Sequence, residues 1–214
     1  MKTQDILHFF KKINYNAEDD KDGKNYRYFH PLRVLKLARE LIETEGIQDR
    51  ANNDCVLLLA LFHDIGRNAE LVKKHGLDPE KHDENNIVLF EEYIYRHLDD
   101  PKTKRQLVDI VTDFSKKQYQ LLESKAVRDA DNLDEIGILN FWRMAVYAGK
   151  HKQDPQEIIE FYFNVDRQDK TQKMEKKLLL KASKAVAKKR LREMDEVMEK
   201  FRAIALAKIE GMNA

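Results

Sequence analysis

Most of the chain places apolar residues three and four positions apart, which is the period of an amphipathic helix. The stripe formed by Ile87, Phe90 and Ile94 is one example. Runs of β-branched residues are scarce. The 214 residues include only 7 glycines and 4 prolines, the residues that most often interrupt helices. The pattern therefore predicts an all-α fold.

The same periodicity, together with boundary residues, predicts where the helices lie. Pro31 suits a first helical turn, Asp83 suits an N-cap, and Gly46 suits a C-terminal stop. The predicted helices are residues 5–13, 31–45, one from about 53, 69–74, 84–97, 101–114, 119–148 with a break near Gly137, 155–163, and 171–208 as one or two long helices.

One stretch departs from the amphipathic pattern because Val56–Phe62 is apolar at every position. A helix of this kind is expected to be buried on all faces, with Gly66 as its stop. His63 and Asp64 follow the apolar run directly. Burying such groups costs several kcal/mol unless they are paired or bind a metal. The sequence therefore predicts partners for His63 and Asp64 elsewhere in the chain.

His30 is a candidate partner because it stands at the start of a helix whose apolar positions follow it at helical spacing. Arg33 lies one turn further on, beside it. The apolar positions are Val34, Leu37, Ala38 and Leu41. A single inward-facing histidine is more often a hydrogen-bonded core residue than a metal ligand, so His30 alone leaves both interpretations open.

A second candidate stripe carries two carboxylates. Asp131 and Asp134 share a helical face with apolar residues, whereas Asp129 is displaced by about 200° and points elsewhere. The apolar members of the stripe are Val127, Ile138 and Phe141. Two histidines and these carboxylates, all directed at one core, form a donor set that suits Mn²⁺, Fe²⁺, Zn²⁺ or Ni²⁺.

Composition narrows the class of protein. Charged residues make up 36% of the chain and the net charge is only +1. The only cysteine is Cys55, which excludes an internal disulfide and favours a reducing, cytoplasmic location. The polar start lacks a signal peptide, and no segment approaches the ~18 apolar residues of a membrane span. We expect a cytoplasmic protein without a membrane partner.

The region of residues 181–192 is rich in lysine and arginine, and acidic residues follow it directly. A nucleic-acid-binding stripe is one interpretation, and a solvated helix face is the better one. The near-neutral net charge also argues against a nucleic-acid partner. An apolar stripe on the same helix would pack on the core or pair two copies in a homodimer. Its members are Ala187, Leu191, Met194, Met198, Phe201 and Ala205.

Three stretches together resemble the HD-domain superfamily, a group of all-α, metal-dependent phosphohydrolases. They are His30 with Arg33-Val34, then His63-Asp64-Ile65-Gly66, and then Asp129–Asp134, which reads Asp-Ala-Asp-Asn-Leu-Asp. The resemblance covers about residues 28–145 and looks closest to the compact single-domain bacterial HD hydrolases. It implies an HD-like helical bundle over residues 1–168, with a long C-terminal helical extension over 169–214.

The resemblance also implies a metal site. The four expected ligands of the first ion are His30, His63, Asp64 and Asp131. His82 and Asp113 fall where some branches of the family place histidines that bind a second ion, although Asp113 is a departure from that pattern. The expected cofactor is a divalent ion, which could be Mn, Fe, Ni, Co, Zn or Mg.

The expected activity is hydrolysis of a small phosphate ester, plausibly a nucleotide, as a phosphomonoesterase or phosphodiesterase. Asp64 would hold the ion or accept a proton from water, and Arg33 and Arg67 would clamp the phosphate. Arg67 stands where family nucleotidases often have an acidic residue. That departure, with Asp113, supports an alternative, a catalytically weak metal-binding module that serves as a sensor or protein-interaction domain.

Overall fold

The structure is a computed structural model that describes residues 3–14 and 26–210. Every regular element in this part of the chain is helical, which confirms the predicted all-α fold. In chain order the helices are α1 (Thr3–Asn14), α2 (Tyr26–Thr44), α3 (Asn53–Phe62), α4 (Ala69–Lys74), α5 (His82–Tyr93), α6 (Pro101–Ser115), α7 (Leu122–Asp134), α8 (Ile138–His151), α9 (Pro155–Phe161), α10 (Arg167–Lys177) and α11 (Lys181–Glu210). Short 3₁₀ turns at Ile65–Arg67 and Tyr95–His97 and a π-helical turn at Tyr162–Asp166 join some of them.

The chain forms two compact units, Met1–Ala130 and Asp131–Ala214. The division falls inside the continuous helix α7, after Ala130. It differs from the boundary predicted at residue 168, which lies within α10. None of the described helices is long and apolar enough to cross a lipid bilayer.

Helix α3 is the centre of the first unit. Every residue from Cys55 to Phe62 is buried, as the apolar run predicts, and α2 and α6 pack against the helix. Its N-cap, Asn52, accepts hydrogen bonds from the backbone of the first turn and donates its own N–H to Glu123 of α7 at 2.7 Å. Burial raises the pKa of Cys55 to about 12, so this thiol is an inert core residue.

The second unit has its own core, formed by α8, α9, the π-helical turn and α11. Its apolar side chains are Met144, Ile159, Tyr162, Met194 and Met198. The apolar stripe predicted on α11 therefore packs inside this unit. Next to that core, Asp195 accepts hydrogen bonds from the Tyr162 hydroxyl at 2.6 Å and from Arg167 Nε at 2.7 Å.

Some predicted boundaries were wrong. Helix α2 starts at Tyr26, so Pro31 lies inside it, just past the first turn, where its missing N–H removes a single backbone hydrogen bond. Helix α5 starts at His82, so Asp83 lies in the first turn and is not the N-cap. The helix predicted over 84–97 ends at Tyr93 and is followed by a 3₁₀ turn. The break near Gly137 is confirmed.

Candidate metal centre

His63 occupies the C-cap of the buried helix α3. Its ring is buried, and its Nδ1 lies 2.9 Å from the carbonyl oxygen of Ala60. A carbonyl oxygen can only accept, so in the neutral imidazole Nδ1 carries the proton and Nε2 carries the lone pair. The helix that positions His63 therefore also sets the tautomer in which Nε2 is the metal-ligating atom.

His30 and Asp131 converge with His63 on one point. Each of the three side chains offers a ligand atom, and these atoms all lie within 4.8 Å of one another. His30 comes from α2 and is buried, while Asp131 continues helix α7 directly after Ala130 and is half-buried. The rings of His30 and His63 meet edge to face, with centroids 5.3 Å apart.

The three donors fit a divalent transition metal. Two ligands of one ion are separated by at most about 4.2 Å, because metal–nitrogen and metal–oxygen bonds are each roughly 2.1 Å long. The three ligand atoms lie within 4.8 Å of one another, so they need to move only slightly closer together to bind one ion. Two imidazoles and one carboxylate are also the donor chemistry that Fe²⁺, Mn²⁺ and Zn²⁺ accept.

Asp64 lies next to this group and is not a member of it. Its Oδ2 is 3.8 Å from His63 Nε2, and its Oδ1 is 3.4 Å from Arg67 Nε. The carboxylate is half-buried, whereas the Arg67 side chain is 60% exposed. Asp64 is thus within reach of an ion on His63, and it orients the guanidinium of Arg67 at the opening.

A cavity of about 160 Å³ opens beside these groups. His30, Asp64 and Arg67 line it, together with Asn14 and Asn68. Asn68 is the N-cap of α4, and its Nδ2 donates to the carbonyl oxygen of Ile13 at 3.0 Å, which links the end of α1 to this wall. The predicted catalytic residues Asp64 and Arg67 therefore share one small cavity with the candidate ligand His30.

Asn86 of α5, which the sequence analysis did not single out, holds the turn that carries His63 and Asp64. Its Nδ2 donates to the carbonyl oxygen of His63 at 2.6 Å, and its Oδ1 accepts from the N–H of Gly66 at 2.7 Å. Both hydrogen bonds are buried. An asparagine on a helix gives no sequence signal of such a role, because its partners lie 20 or more residues away.

Gly66 does not act as the predicted C-terminal stop of α3, since the helix ends at Phe62. It lies in the 3₁₀ turn, where a Cβ atom would stand 2.2 Å from the carbonyl oxygen of His82 and 2.8 Å from the backbone nitrogen of Asn86. Glycine is required here because α5 packs directly on the turn, and no larger residue fits in this space.

The residues predicted for a second ion are not part of the group. His82 has its backbone against the Gly66 turn, but its side chain is exposed. Asp113 is buried, and its two carboxylate oxygens accept hydrogen bonds from the N–H groups of Gln120 and Leu121 at 2.9 and 3.1 Å. Asp113 thus organises the loop after α6, and the positions of these two residues give a second ion no support.

The charged residues Asp134, Asp129 and Arg33, which the sequence analysis also named, differ in how deeply they are buried. Asp134 is buried and pairs with Arg143 at 3.3 Å. Asp129 is also fully buried, so pointing away from the Asp131 stripe does not bring it to the surface. Arg33, predicted to clamp phosphate, is half-buried on α2 and does not line the cavity.

Comparison with known proteins adds a family match and a set of similar folds. The family model described as HD domain matches residues 27–136. None of the curated proteins compared with the chain matches it. Similar solved structures include an HD-superfamily hydrolase from Bacillus thuringiensis, which is 22% identical, with 95% of this chain and 96% of that chain covered and a TM-score of 0.61.

Two further solved structures show the same likeness. The Lin1889 protein from Listeria innocua is 19% identical, with 94% of this chain and 96% of that chain covered and a TM-score of 0.56. YpgQ from Bacillus subtilis, solved in complex with ADP, is 19% identical, with 94% and 93% covered and a TM-score of 0.56. At these identities the likeness shows a shared fold over nearly the whole chain.

Proposed function

Because the chain belongs to the HD-domain family, we propose that it is a metal-dependent phosphohydrolase that acts on a small phosphate ester, such as a nucleotide. The observation that carries the proposal is the convergence of ligand atoms from His30, His63 and Asp131 within 4.8 Å of one another. These residues and Asp64 are the proposed ligands of one divalent ion. Such an ion supplies Lewis acidity and a bound water that ionises near neutral pH.

The protein's own residues then bind and orient the substrate. Arg67, exposed and held by Asp64 at the cavity opening, is placed to bind a phosphoryl oxygen. Asp64 can hold a proton from the attacking water, since an ionised carboxylate accepts hydrogen bonds at both oxygens. Arg33 is not among the residues that line the cavity, so we assign the contact with the phosphate to Arg67.

The size of the cavity favours a small reacting group. At about 160 Å³ it is well below the range of roughly 300–1,000 Å³ that is typical of sites enclosing a whole ligand. It suits a phosphoryl group, with the remainder of the ester outside. The ADP bound to YpgQ, a protein of similar fold, supports a nucleotide as the ester.

The proposal is tested by metal analysis of the purified protein and a phosphate-release screen. Nucleotides and sugar phosphates are offered with Mn²⁺, Mg²⁺, Co²⁺ or Ni²⁺, as monoesters and diesters. We expect release with at least one ester in the wild type, and loss of both metal and activity in Asp64→Ala. Full activity in Asp64→Ala would contradict the site assignment.

The alternative, a metal-binding sensor or interaction module, rests on Asp113 and Arg67, the two departures from the family pattern. Asp113 has both carboxylate oxygens engaged by backbone N–H groups, and the side chain of His82 is exposed. If the wild-type protein is fully metal-loaded and releases no phosphate from any ester in the screen, this alternative replaces the enzyme proposal.

A further inference from the structure

The loop between α6 and α7, residues 116–121, holds two non-glycine residues in the left-handed region of the backbone. Lys117 has a φ of 57° and Tyr119 has a φ of 50°. This conformation is uncommon for any residue with a side chain and is rarest for bulky ones, whereas asparagine adopts it more readily. Such a backbone persists only where the surrounding structure holds it, often at a functional site. The conformation at Tyr119 is therefore maintained by contacts with the rest of the fold.

A buried carboxylate holds this loop in place. The two carboxylate oxygens of Asp113 accept hydrogen bonds from the N–H groups of Gln120 and Leu121 at 2.9 and 3.1 Å. The backbone oxygen of the same residue accepts from the N–H of Gln118 at 3.0 Å. A carboxylate that accepts from backbone N–H groups makes stronger hydrogen bonds than a neutral acceptor does. Because these bonds join residues on both sides of Tyr119, its backbone is confined.

The ring of Tyr119 is the first of three rings that lead to the candidate metal centre. It meets the ring of Phe114 edge to face, with centroids 5.9 Å apart. Phe114 is buried, and its ring meets the ring of His63 edge to face, with centroids 6.2 Å apart. Aromatic pairs at such distances and angles attract one another beyond the burial of their surfaces. A continuous set of contacts thus joins the loop to a candidate ligand.

Tyr119 also contacts the helix that follows the loop. The guanidinium carbon of Arg128 lies 5.7 Å from the centroid of the Tyr119 ring, which is within the range of a cation–π interaction. Arg128 lies on α7, three positions before the candidate ligand Asp131, so the two residues are neighbours on the helix surface. The ring of Tyr119 therefore contacts α6 through Phe114 and α7 through Arg128.

The ring of His63 needs a fixed orientation as well as a fixed tautomer. The hydrogen bond between its Nδ1 and the carbonyl oxygen of Ala60 sets the tautomer, and the groups packed against the ring set its tilt. Two rings meet it edge to face, those of His30 and Phe114. Because His30 is itself a candidate ligand, Phe114 supplies a contact that is independent of the ion.

We propose that Tyr119 is a positioning residue of the metal centre, which holds Phe114 against His63 and so keeps the ligating nitrogen of His63 in place. The inference rests on the metal site of the proposed function but not on hydrolysis. It also gives Asp113 a role at this centre. In place of binding a second ion, Asp113 holds the loop that presents Tyr119.

The test is a titration of the full chain with Co²⁺ against a competing chromophoric chelator, together with the visible absorption of the bound ion. Tyr119→Asn removes the ring and suits the left-handed backbone. We expect it to bind Co²⁺ about 10-fold more weakly, with altered absorption bands, and without a matching fall in the Tm of the metal-free protein. Tyr119→Phe keeps the ring and should restore wild-type affinity. Equal losses in the two variants would overturn the proposal.

Lys117→Asn is the matched control, because it makes the same substitution in the same loop at a residue that also has a left-handed backbone. The Lys117 side chain is 65% exposed and pairs with Asp83 of α5 at 2.8 Å. We expect the affinity for Co²⁺ and the absorption bands of this variant to match those of the wild type. A loss as large as that of Tyr119→Asn would show that any change in the loop disturbs the centre, and would contradict a specific role of the Tyr119 ring.

A double-mutant cycle tests whether Tyr119 acts through Phe114. Phe114→Leu keeps an apolar side chain, removes the ring that contacts His63, and should weaken Co²⁺ binding by about 10-fold or more. If Tyr119 acts through this ring, adding Tyr119→Asn to Phe114→Leu causes little further loss. Fully additive losses would contradict the proposed route of action.

A measurement without metal separates this inference from the proposed function. In EDTA, the NMR signals of the His63 ring protons should shift in Tyr119→Asn and stay unchanged in Lys117→Asn. Unchanged His63 signals or unchanged Co²⁺ affinity in Tyr119→Asn would overturn the positioning role, whatever the hydrolytic activity. If the expected losses occur in a protein that releases no phosphate from any ester, the positioning role stands and the proposed hydrolysis fails.

Discussion

The ion pair between Asp64 and Arg67 lies at the cavity beside the candidate metal centre, with Arg67 Nε 3.4 Å from Asp64 Oδ1. We expect Arg67→Ala to keep its metal but to lower kcat/KM for a phosphate ester by roughly 10- to 100-fold, the value of one hydrogen bond to a charged group. The loss appears in KM if the contact is equal in ground and transition states. It extends to kcat if the guanidinium meets charge that develops only during transfer.

Arg96→Ala is the matched control for this change. Arg96 is as exposed as Arg67 and pairs with a carboxylate four positions away, Glu92 at 2.6 Å, but it does not line the cavity. Its removal should leave steady-state kinetics and metal content unchanged. Equal losses in the two variants would show that Arg67 acts through general surface charge and not through a contact with substrate.

Asn86 acts through the turn that it holds. Asn86→Ala removes the partners of the His63 carbonyl oxygen and the Gly66 N–H, and it should lower the free energy of unfolding by roughly 2–5 kcal/mol. It should also weaken metal binding by about 10- to 100-fold, because the proposed ligand His63 loses its fixed orientation. Denaturant unfolding and a metal titration of the folded protein measure the two effects.

A variant of Asn85, the residue before Asn86, is the control that distinguishes a role in positioning His63 from a role in stability alone. Asn85 is also buried and donates to a backbone oxygen, that of Asp78 at 2.7 Å, which is not part of the turn that carries His63 and Asp64. Asn85→Ala should cost roughly 1–3 kcal/mol of stability and leave metal affinity intact. If both variants lose metal equally, Asn86 is a structural residue only.

The close contact between the 3₁₀ turn at Ile65–Arg67 and helix α5 restricts which residue can occupy the turn. A Cβ at Gly66 would meet backbone atoms of α5 at 2.2 and 2.8 Å, and backbone cannot move aside as a flexible side chain can. Gly66→Ala should therefore separate the two elements, destabilise the fold by at least about 2 kcal/mol and reduce metal occupancy. Thermal unfolding and metal analysis of the same samples check this prediction.

The same substitution, glycine to alanine, is expected to have the opposite effect on stability at Gly149. It lies in α8 with a helical backbone, and a Cβ there would meet nothing within 4 Å. Gly149→Ala should be neutral or stabilise the protein by roughly 0.5–1 kcal/mol, because alanine is the better helix former. A destabilised Gly149→Ala variant would contradict the structure of α8 described here.

Metal occupancy should be visible in the stability of the whole molecule. An ion that binds only the folded state stabilises it by about 2.7 kcal/mol at a free concentration of 100 Kd. For a chain of this length that shifts Tm by on the order of 5–10 °C. We expect Tm to fall on chelation with EDTA and to recover on addition of Mn²⁺. His30→Ala should show no such response, and an equal response in that variant would place the stabilising ion elsewhere.

The sequence by itself determined the helical class and the buried centre of the first unit. A run apolar on every side has no stable place except inside, so the burial of α3 follows from composition alone. The carboxylate and histidine that end that run require partners for the same reason. His30 and Asp131 were identifiable because helical periodicity puts each on an inward face, and the structure brings both to His63.

Only the tertiary structure decided the rest, because it depends on distances between residues far apart in sequence. Sequence periodicity gives a side chain's direction but not its neighbours, so it could not show that Asn86 holds the turn that carries His63 and Asp64 or that Gly66 faces the backbone of α5. It also could not show that Asp113 is engaged by a loop, since the N–H groups it accepts from become available only when residues 116–121 turn back. The local pattern fixes which residues face inward, and packing fixes which of them meet.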